Sequence, residues 1–61
     1  IMTKIKNMRV KRKLRQKQLA ELLGVAQPTL SQIEKRGVKN IRAAQRYAKA
    51  LNCNPLDLIE L

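Results

Sequence analysis

The stretch LAELLGVAQPTLSQIEK, which spans residues 19–35, decides the fold of this chain. Its first half carries apolar residues at helical spacing and reaches Gly24, the residue type that most readily adopts a positive φ at a helix C-terminus. Val25 and Ala26 form a very short connection. Pro28 then lies in the first turn of another helix, where its missing N–H costs little. The pattern therefore predicts two helices joined by a tight turn.

A turn this short forces the two helices to cross steeply and requires a small residue where they touch. Ala20 fits that contact, and Gly24 fits the positive-φ corner. The apolar residues that we expect to share the core between the helices are Leu19, Leu23, Val25, Leu30 and Ile33. Residues 16–35 thus have a helix-turn-helix arrangement, in which the second helix of the pair is presented to the DNA major groove.

Apolar residues recur at helical spacing on both sides of this pair, whereas strand and hairpin patterns are nearly absent. A first helix is predicted over about residues 3–13, with Thr3 as its N-cap. A fourth helix is predicted from the apolar stripe that starts at Ile41 and ends at Leu51.

Asn54 and Pro55 read as a cap and a first-turn proline, so a fifth helix is expected over residues 56–61. No repeat, linker or low-complexity run divides the chain. We therefore predict an all-α fold in which residues 1–61 form one compact five-helix domain.

Composition agrees with one small domain that has no metal chemistry. A hydrophobic content of 44% in 61 residues argues against disorder. Tyr47 is the only aromatic residue, so aliphatic side chains must build the core. Cys53 is alone and histidine is absent, which excludes an internal disulfide and effectively excludes a zinc site. We expect no cofactor, and Cys53 should pack as a small hydrophobe.

The charge of the chain points to an acidic partner. Lys and Arg number 14 against 4 Asp and Glu, which gives a formal charge of +10. Such a balance is typical of proteins that bind nucleic acid or an anionic membrane surface. The basic residues lie in two groups, residues 4–17 and 35–49, while residues 18–34 carry none. Positive charge therefore flanks the third predicted helix instead of covering it.

The outer face of that third helix is neutral and polar. By i,i+4 spacing, Gln27, Ser31 and Lys35 form one row, and Pro28 and Gln32 form the next. A Gln side chain can pair bidentately with adenine, and apolar groups can touch a thymine methyl. The predicted base-reading residues are Gln27, Pro28, Ser31 and Gln32. The alternative is that these residues are ordinary solvated surface.

The same residues carry a family resemblance. The chain resembles the Cro and phage-repressor family, the lambda-repressor-like DNA-binding domains, over residues 5–59. The matching positions are Arg9, Gln16, Leu19, Ala20, Gly24, Val25, Leu30, Ile33, Glu34, Ala48, Lys49, Ala50 and Leu51. The resemblance implies a five-helix fold and operator binding, usually as a two-fold dimer. It also implies that Glu34 pairs with Arg9; the alternative is an exposed Glu34 beside Lys35.

Three positions depart from the family pattern. Arg15 stands where the family often has a Thr or Asn N-cap. Gly37 comes three residues after Glu34 where the family often has a glycine after two, and Ile41 replaces a frequent proline. The path of residues 35–41 is therefore the part of the fold that the resemblance leaves open.

In such a fold, the start of the second helix and the loop into the fourth flank the third helix, so both can reach a phosphate strand. The residues expected to contact phosphates are Gln16, Lys17, Lys35, Lys39, Asn40 and Arg42. Free N–H groups at the starts of the second and fourth helices should help. The apolar residues near the end are too many for full burial, which suggests a homodimer interface at Leu56, Leu58 and Leu61.

Other functions fit less well. An enzyme lacks a credible general base, phosphate loop or metal pair, so no small-molecule substrate is expected. No apolar run approaches a signal peptide or a spanning helix, and the basic first helix has only a thin apolar side, so no membrane partner is expected. An antitoxin-type protein-interaction module that also binds its own promoter is the remaining alternative. The sequence favours a sequence-specific regulator of double-stranded DNA, a phage or prophage Cro-like repressor in the bacterial cytoplasm or a phage-infected host.

Overall fold

The computed structural model describes residues 2–60, and the described chain is helical. It contains four α-helices, α1 (Lys4–Lys11), α2 (Gln16–Leu23), α3 (Gln27–Arg36) and α4 (Ile41–Leu51), followed by a short 3-10 helix, Pro55–Asp57. The all-α prediction is confirmed, since residues 2–60 show one isolated β-bridge and no strand. None of the helices in this part of the chain is long and apolar enough to cross a membrane.

Helix α1 begins at the predicted cap and ends two residues earlier than predicted. The Thr3 hydroxyl accepts a hydrogen bond from the Lys6 N–H at 3.4 Å. Arg12 closes the helix, and Lys13 adopts a left-handed conformation with φ 58°. This residue directs the backbone toward α2, so α1 ends before residue 13.

The turn between α2 and α3 has the predicted form. Gly24 ends α2 in the left-handed region with φ 70° and ψ 29°, and the Val25 N–H donates to the Ala20 carbonyl at 3.0 Å. Ala26 is extended, and Pro28 lies in the first turn of α3. Three residues separate the two helices, and α3 packs directly against α2.

The core is aliphatic. Its fully buried large side chains are Ile5, Leu19, Leu30 and Leu58. The other buried apolar residues are Ala20, Leu23, Val38, Ala44, Ala48 and Leu51, with Met8, Val25, Ile33, Tyr47 and Cys53 among those packed around them. All four α-helices contribute to this one cluster, which fixes α3 with its outer face toward solvent.

The prediction of a fifth α-helix over residues 56–61 is wrong within the described residues. The Asn54 side chain caps the turn by accepting from the Leu56 N–H at 2.9 Å, but the helix stops at Asp57 as one 3-10 turn. Ile59 instead forms a parallel bridge with Val38, and the Glu60 N–H donates to the Val38 carbonyl at 2.6 Å. Pairing with a distant segment replaces the helical hydrogen bonds that the local sequence favours. Leu61 lies outside the described residues.

Candidate nucleic-acid interface

The outer face of α3 is exposed and polar. Gln27, Pro28, Gln32 and Lys35 are exposed and Ser31 is half-buried. The opposite side of the helix carries Leu30 and Glu34, which are 0% and 4% exposed. The structure therefore brings all four predicted base-reading residues to one solvent-facing surface.

A chain of hydrogen bonds runs from α1 to the first residue of α3. Arg9 donates its Nε to Glu34 Oε2 at 2.6 Å. Gln16 Nε2 donates to the other carboxylate oxygen of Glu34 at 3.0 Å. Gln27 Nε2 in turn donates to Gln16 Oε1 at 3.3 Å. This hydrogen-bond network connects α1, α2 and α3 at the edge of the polar surface.

Glu34 is the buried centre of this network. Its side chain is 3% exposed and that of Arg9 is 14% exposed. Arg9 Nη1 also donates to the Leu14 carbonyl at 2.8 Å, which ties the α1–α2 turn to the pair. A buried carboxylate needs such partners, because burying a charge without them is costly. The ion pair that the resemblance implies is thus present, and the alternative of an exposed Glu34 is wrong.

Gln16 has a role that sequence reasoning missed. The sequence predicts a phosphate contact for it, but its oxygen and one N–H already bridge Gln27 and Glu34. The amide nitrogen carries a second N–H that a phosphate can accept. The spacing gave no signal for the bridge, because Gln16, Gln27 and Glu34 meet only when α2 and α3 cross.

Exposed cations lie at both ends of α3. Lys17 follows Gln16 in the first turn of α2, beside the start of α3. Lys35 lies in the last turn of α3, Lys39 in the following loop and Arg42 in the first turn of α4. All four side chains are exposed. These cations could therefore contact an anionic strand on either side of the uncharged face.

The N-terminus of α2 has the expected free N–H groups, whereas that of α4 is capped by a side chain. Arg15 has no side-chain acceptor with which to cap α2, but Gln18 Oε1 accepts from the Arg15 N–H at 2.8 Å. The first-turn N–H groups of α2 itself have no side-chain cap. At α4, by contrast, Asn40 Oδ1 accepts from the N–H groups of Arg42 and Ala43 at 2.8 and 3.3 Å. The first-turn N–H groups are thus free at α2, as expected, but at α4 most of them donate to Asn40. The amide nitrogen of Asn40 remains available there as a donor.

The loop that the resemblance left open follows an unusual path. Gly37 ends α3 with φ 83° and ψ 168°, a conformation reached almost only by glycine. Val38 then enters the core with 4% exposure, and Lys39 and Asn40 return to the surface. Sequence reasoning missed Val38, although an apolar residue between Gly37 and Lys39 was a signal that the loop is anchored.

The predicted dimer residues do not form one surface. Leu58 is fully buried in the core of its own chain, so its assignment to an interface is wrong. Leu56 is 66% exposed and remains available for a partner. The assignment of Leu61 lies outside the described residues.

Cys53 shows no sign of activation. It is half-buried, and burial raises the pKa of its thiol; Asp57 raises this pKa further, whereas Arg12 lowers it. A raised pKa reduces the thiolate fraction at neutral pH, which agrees with a packing role. Arg12 itself donates to the Leu51 and Asn52 carbonyls at 3.2 and 3.1 Å, and so closes the end of α4.

The fold and the exposed face of α3 define a helix-turn-helix protein of the type that binds DNA. A sequence model of the helix-turn-helix family matches residues 5–58, and the chain belongs to this family, in its Cro/C1-type branch. No curated protein and no solved structure matches the chain significantly. Membership identifies the protein as a DNA-binding transcription regulator of the Cro/C1 type. Domains of this family bind double-stranded DNA and are typically not enzymatic.

Proposed function

We propose that this protein is a sequence-specific Cro-like repressor of phage or prophage origin. Residues 1–61 would act as a single DNA-binding domain that places α3 in the major groove of an operator. The observation that carries the proposal is the exposed uncharged face of α3, held at its first residue by the hydrogen bond from Gln27 to Gln16. A Lys or Arg on that face would bind any phosphate strongly, whereas amides discriminate between bases by their donor and acceptor pattern.

Gln27 and Gln32 are the proposed base readers. The Gln27 amide uses one N–H on Gln16, which leaves its oxygen and its second N–H for the bidentate pattern that adenine offers. Fixing this amide before binding reduces the entropy lost when it meets a base. Pro28 and Ser31 complete the proposed face, with Pro28 positioned for apolar contact with a thymine methyl.

The proposed phosphate contacts surround this face. Lys17 and the remaining N–H of Gln16 would hold one strand beside the start of α3. Lys35, Lys39, Arg42 and the Asn40 amide nitrogen would hold the other strand beyond its end. Counterion release by these cations would supply affinity that depends on salt and hardly on sequence.

We further propose that two copies bind a pseudo-palindromic operator. Half-sites would then lie about 34 Å apart, one turn of DNA. Leu56 is the exposed apolar residue from which such a contact can be built. Because each copy carries a formal charge of +10, repulsion opposes pairing in free solution and the DNA phosphates would relieve it.

Selection from a random duplex pool tests the proposal. Repeated rounds of binding at about 150 mM salt should enrich one short motif, with two inverted copies spaced by one helical turn. The enriched duplex should bind at least about a thousand-fold more tightly than the starting pool. Enrichment of no motif, or equal affinity for motif and pool, would reject sequence-specific binding.

A further inference from the structure

Residues 58–60, here termed the closing segment, join the core to the loop after α3. Leu58 is 0% exposed and anchors the segment. Ile59 forms the parallel bridge with Val38, and the Glu60 N–H donates to the Val38 carbonyl at 2.6 Å. The closing segment thus holds the backbone of the residue that immediately precedes Lys39 and Asn40.

The Glu60 side chain ties this loop to the start of α1. Its Oε1 accepts from the Lys4 N–H, in the first turn of α1, at 2.7 Å. A carboxylate is favoured there, because the first N–H groups of a helix have no partner within the helix. Its Cγ would lie 2.6 Å from a Cβ built on Gly37, so the side chain occupies the space that this glycine leaves open.

The start of α1 is in turn joined to the end of α3. The Thr3 hydroxyl donates to the Glu34 carbonyl at 2.6 Å. Glu60 therefore closes a ring of contacts that begins at α3, passes through Thr3 and Lys4, and returns to Gly37 and Val38. Lys39 and Asn40, two of the proposed phosphate contacts, directly follow the part of the loop that this ring holds.

We infer that Glu60 is a positioning residue for DNA binding, which sets the place of Lys39 and Asn40 without touching DNA. This inference rests on the proposed function. Glu60 is an acid in a protein of formal charge +10, and as a charge alone it opposes binding to DNA. By holding the loop in place, however, Glu60 would favour binding. The effect of its charge and the effect of its contacts on DNA affinity therefore have opposite signs.

That opposition gives a sharp test. Removing Glu60 changes the formal charge from +10 to +11, because one negative charge is lost. If charge were its only effect, Glu60→Ala would tighten binding, as long-range attraction to phosphate grows. If Glu60 positions the loop, the same change weakens binding and reduces its salt dependence, because the Lys39 contact is lost.

The experiment measures binding of the full chain to the selected duplex between about 50 and 200 mM salt. Glu60→Ala should bind about ten-fold more weakly, with the salt slope smaller by about one. Glu60→Gln keeps an oxygen that can accept from the Lys4 N–H, and it should bind within about two-fold of the wild type or more tightly. Glu21→Ala is the matched charge control, since the exposed Glu21 side chain makes no hydrogen bond within residues 2–60; it should bind as well as the wild type or better.

A double-mutant cycle gives a readout that a change in stability would not move. Lys39→Ala should weaken binding about ten-fold in the wild type and by less than about two-fold in Glu60→Ala, because the contact is already lost. Full additivity of the two losses would overturn the inference. Binding by Glu60→Ala as tight as that by Glu21→Ala would overturn it as well.

Two further arms remove ambiguity. Circular dichroism checks that each variant is folded. If Glu60→Ala is unfolded, Glu60→Asp replaces it. Glu60→Asp withdraws the carboxylate by one methylene at constant charge, and it should also weaken binding. Amide NMR without DNA should show shifts and faster hydrogen exchange at Val38, Lys39 and Asn40 in the variant. A wild type that selects no motif refutes the proposed function, whereas a wild type that selects one, with unchanged Val38–Asn40 signals in the variant, refutes only the role of Glu60.

Discussion

Gln27 donates to Gln16 at 3.3 Å and so joins the first residue of α3 to the first residue of α2. Gln16 is itself held by the carboxylate of Glu34, which the Arg9 guanidinium neutralises. The orientation of a residue on the proposed DNA-facing surface is therefore linked to a buried ion pair that includes Glu34 of the same helix. The same network thus supports the fold and the proposed base recognition.

Gln27→Ala and Gln32→Ala should each weaken binding to the selected duplex by about 1–3 kcal/mol and leave binding to random DNA almost unchanged. The reason is that each change removes a pattern of donors and acceptors and no charge. Fluorescence anisotropy with labelled duplexes measures both affinities.

Gln45→Ala is the matched control for these changes, since Gln45 is an exposed amide on α4. It should alter neither affinity. Equal losses on selected and random DNA for the α3 variants would reject their assignment as base readers.

Lys39→Ala should weaken binding to selected and random DNA alike and lower the slope of log K against log salt by about one. Lys39 is exposed in the loop after α3, where a lost ammonium would remove the proposed phosphate contact. Lys6→Ala removes the same charge from an exposed position on α1 and should leave the slope unchanged. The assignment would be wrong if the two variants gave the same slope.

Arg9→Met should destabilise the folded protein by about 3 kcal/mol, because it leaves the buried Glu34 carboxylate with Gln16 as its remaining side-chain donor. In a domain of 61 residues, such a loss is a large part of the whole free energy of unfolding. Urea unfolding followed by circular dichroism measures the loss, since the chain has no tryptophan.

Glu34→Gln should cost less than Arg9→Met, because it removes the charge from the more deeply buried site, where the amide oxygen can still accept from Gln16. The Arg9 guanidinium that remains is the more exposed partner and keeps its bond to the Leu14 carbonyl. The order of the two losses tests the burial of the carboxylate directly. A loss below about 0.5 kcal/mol for Arg9→Met would mean that solvent reaches Glu34.

The sequence was sufficient where local chemistry decides the structure. Gly24 and Pro28 carry conformational requirements that set the end of α2 and the start of α3 whatever packs around them. The prediction of two helices with Pro28 in the first turn of the second is confirmed. The uncharged outer face of α3 followed from the same spacing. Its exposure is confirmed, whereas its role in base reading stays a prediction.

The sequence was insufficient where distant segments meet. Asn54 and Pro55 start a helix as local rules require, yet Val38 draws Ile59 and Glu60 into extended pairing and the helix ends at Asp57. Local propensity contains no information about a partner 21 residues away, as Val38 is from Ile59. The same limit hid the bridge through Gln16.

Leu56→Asp should reduce cooperative binding of two copies to a duplex with two half-sites and leave affinity for a single half-site nearly unchanged. Leu56 is the apolar residue at which the proposed contact between copies would lie, and a carboxylate there would be costly to bury. Sedimentation velocity on both duplexes measures the number of bound copies.

Val10→Asp is the matched control for the dimer contact, because Val10 is 50% exposed on α1 and receives the same charge. It should leave cooperativity intact. Equal effects of the two variants would mean that the contact between copies does not lie at Leu56. Independent binding of two wild-type copies to the paired site would mean that there is no such contact.

Gly37→Ala should destabilise the protein clearly more than Gly24→Ala, although both glycines have positive φ. At Gly24, with φ 70°, an added Cβ meets nothing within 4 Å, so only the left-handed backbone opposes it, at about 1 kcal/mol. At Gly37 the backbone conformation alone costs about 1–3 kcal/mol, and the added Cβ lies 2.6 Å from Glu60 Cγ. Urea unfolding of the two variants measures the difference.

The double variant Gly37→Ala with Glu60→Ala separates the two causes of that loss. It removes the overlap between side chains but keeps the backbone strain, so it should be more stable than the sum of the two single losses predicts. Additive losses would mean that Glu60 moves aside freely. Glu60 would then fill the space beside Gly37 without holding the loop, and only backbone conformation would require a glycine there.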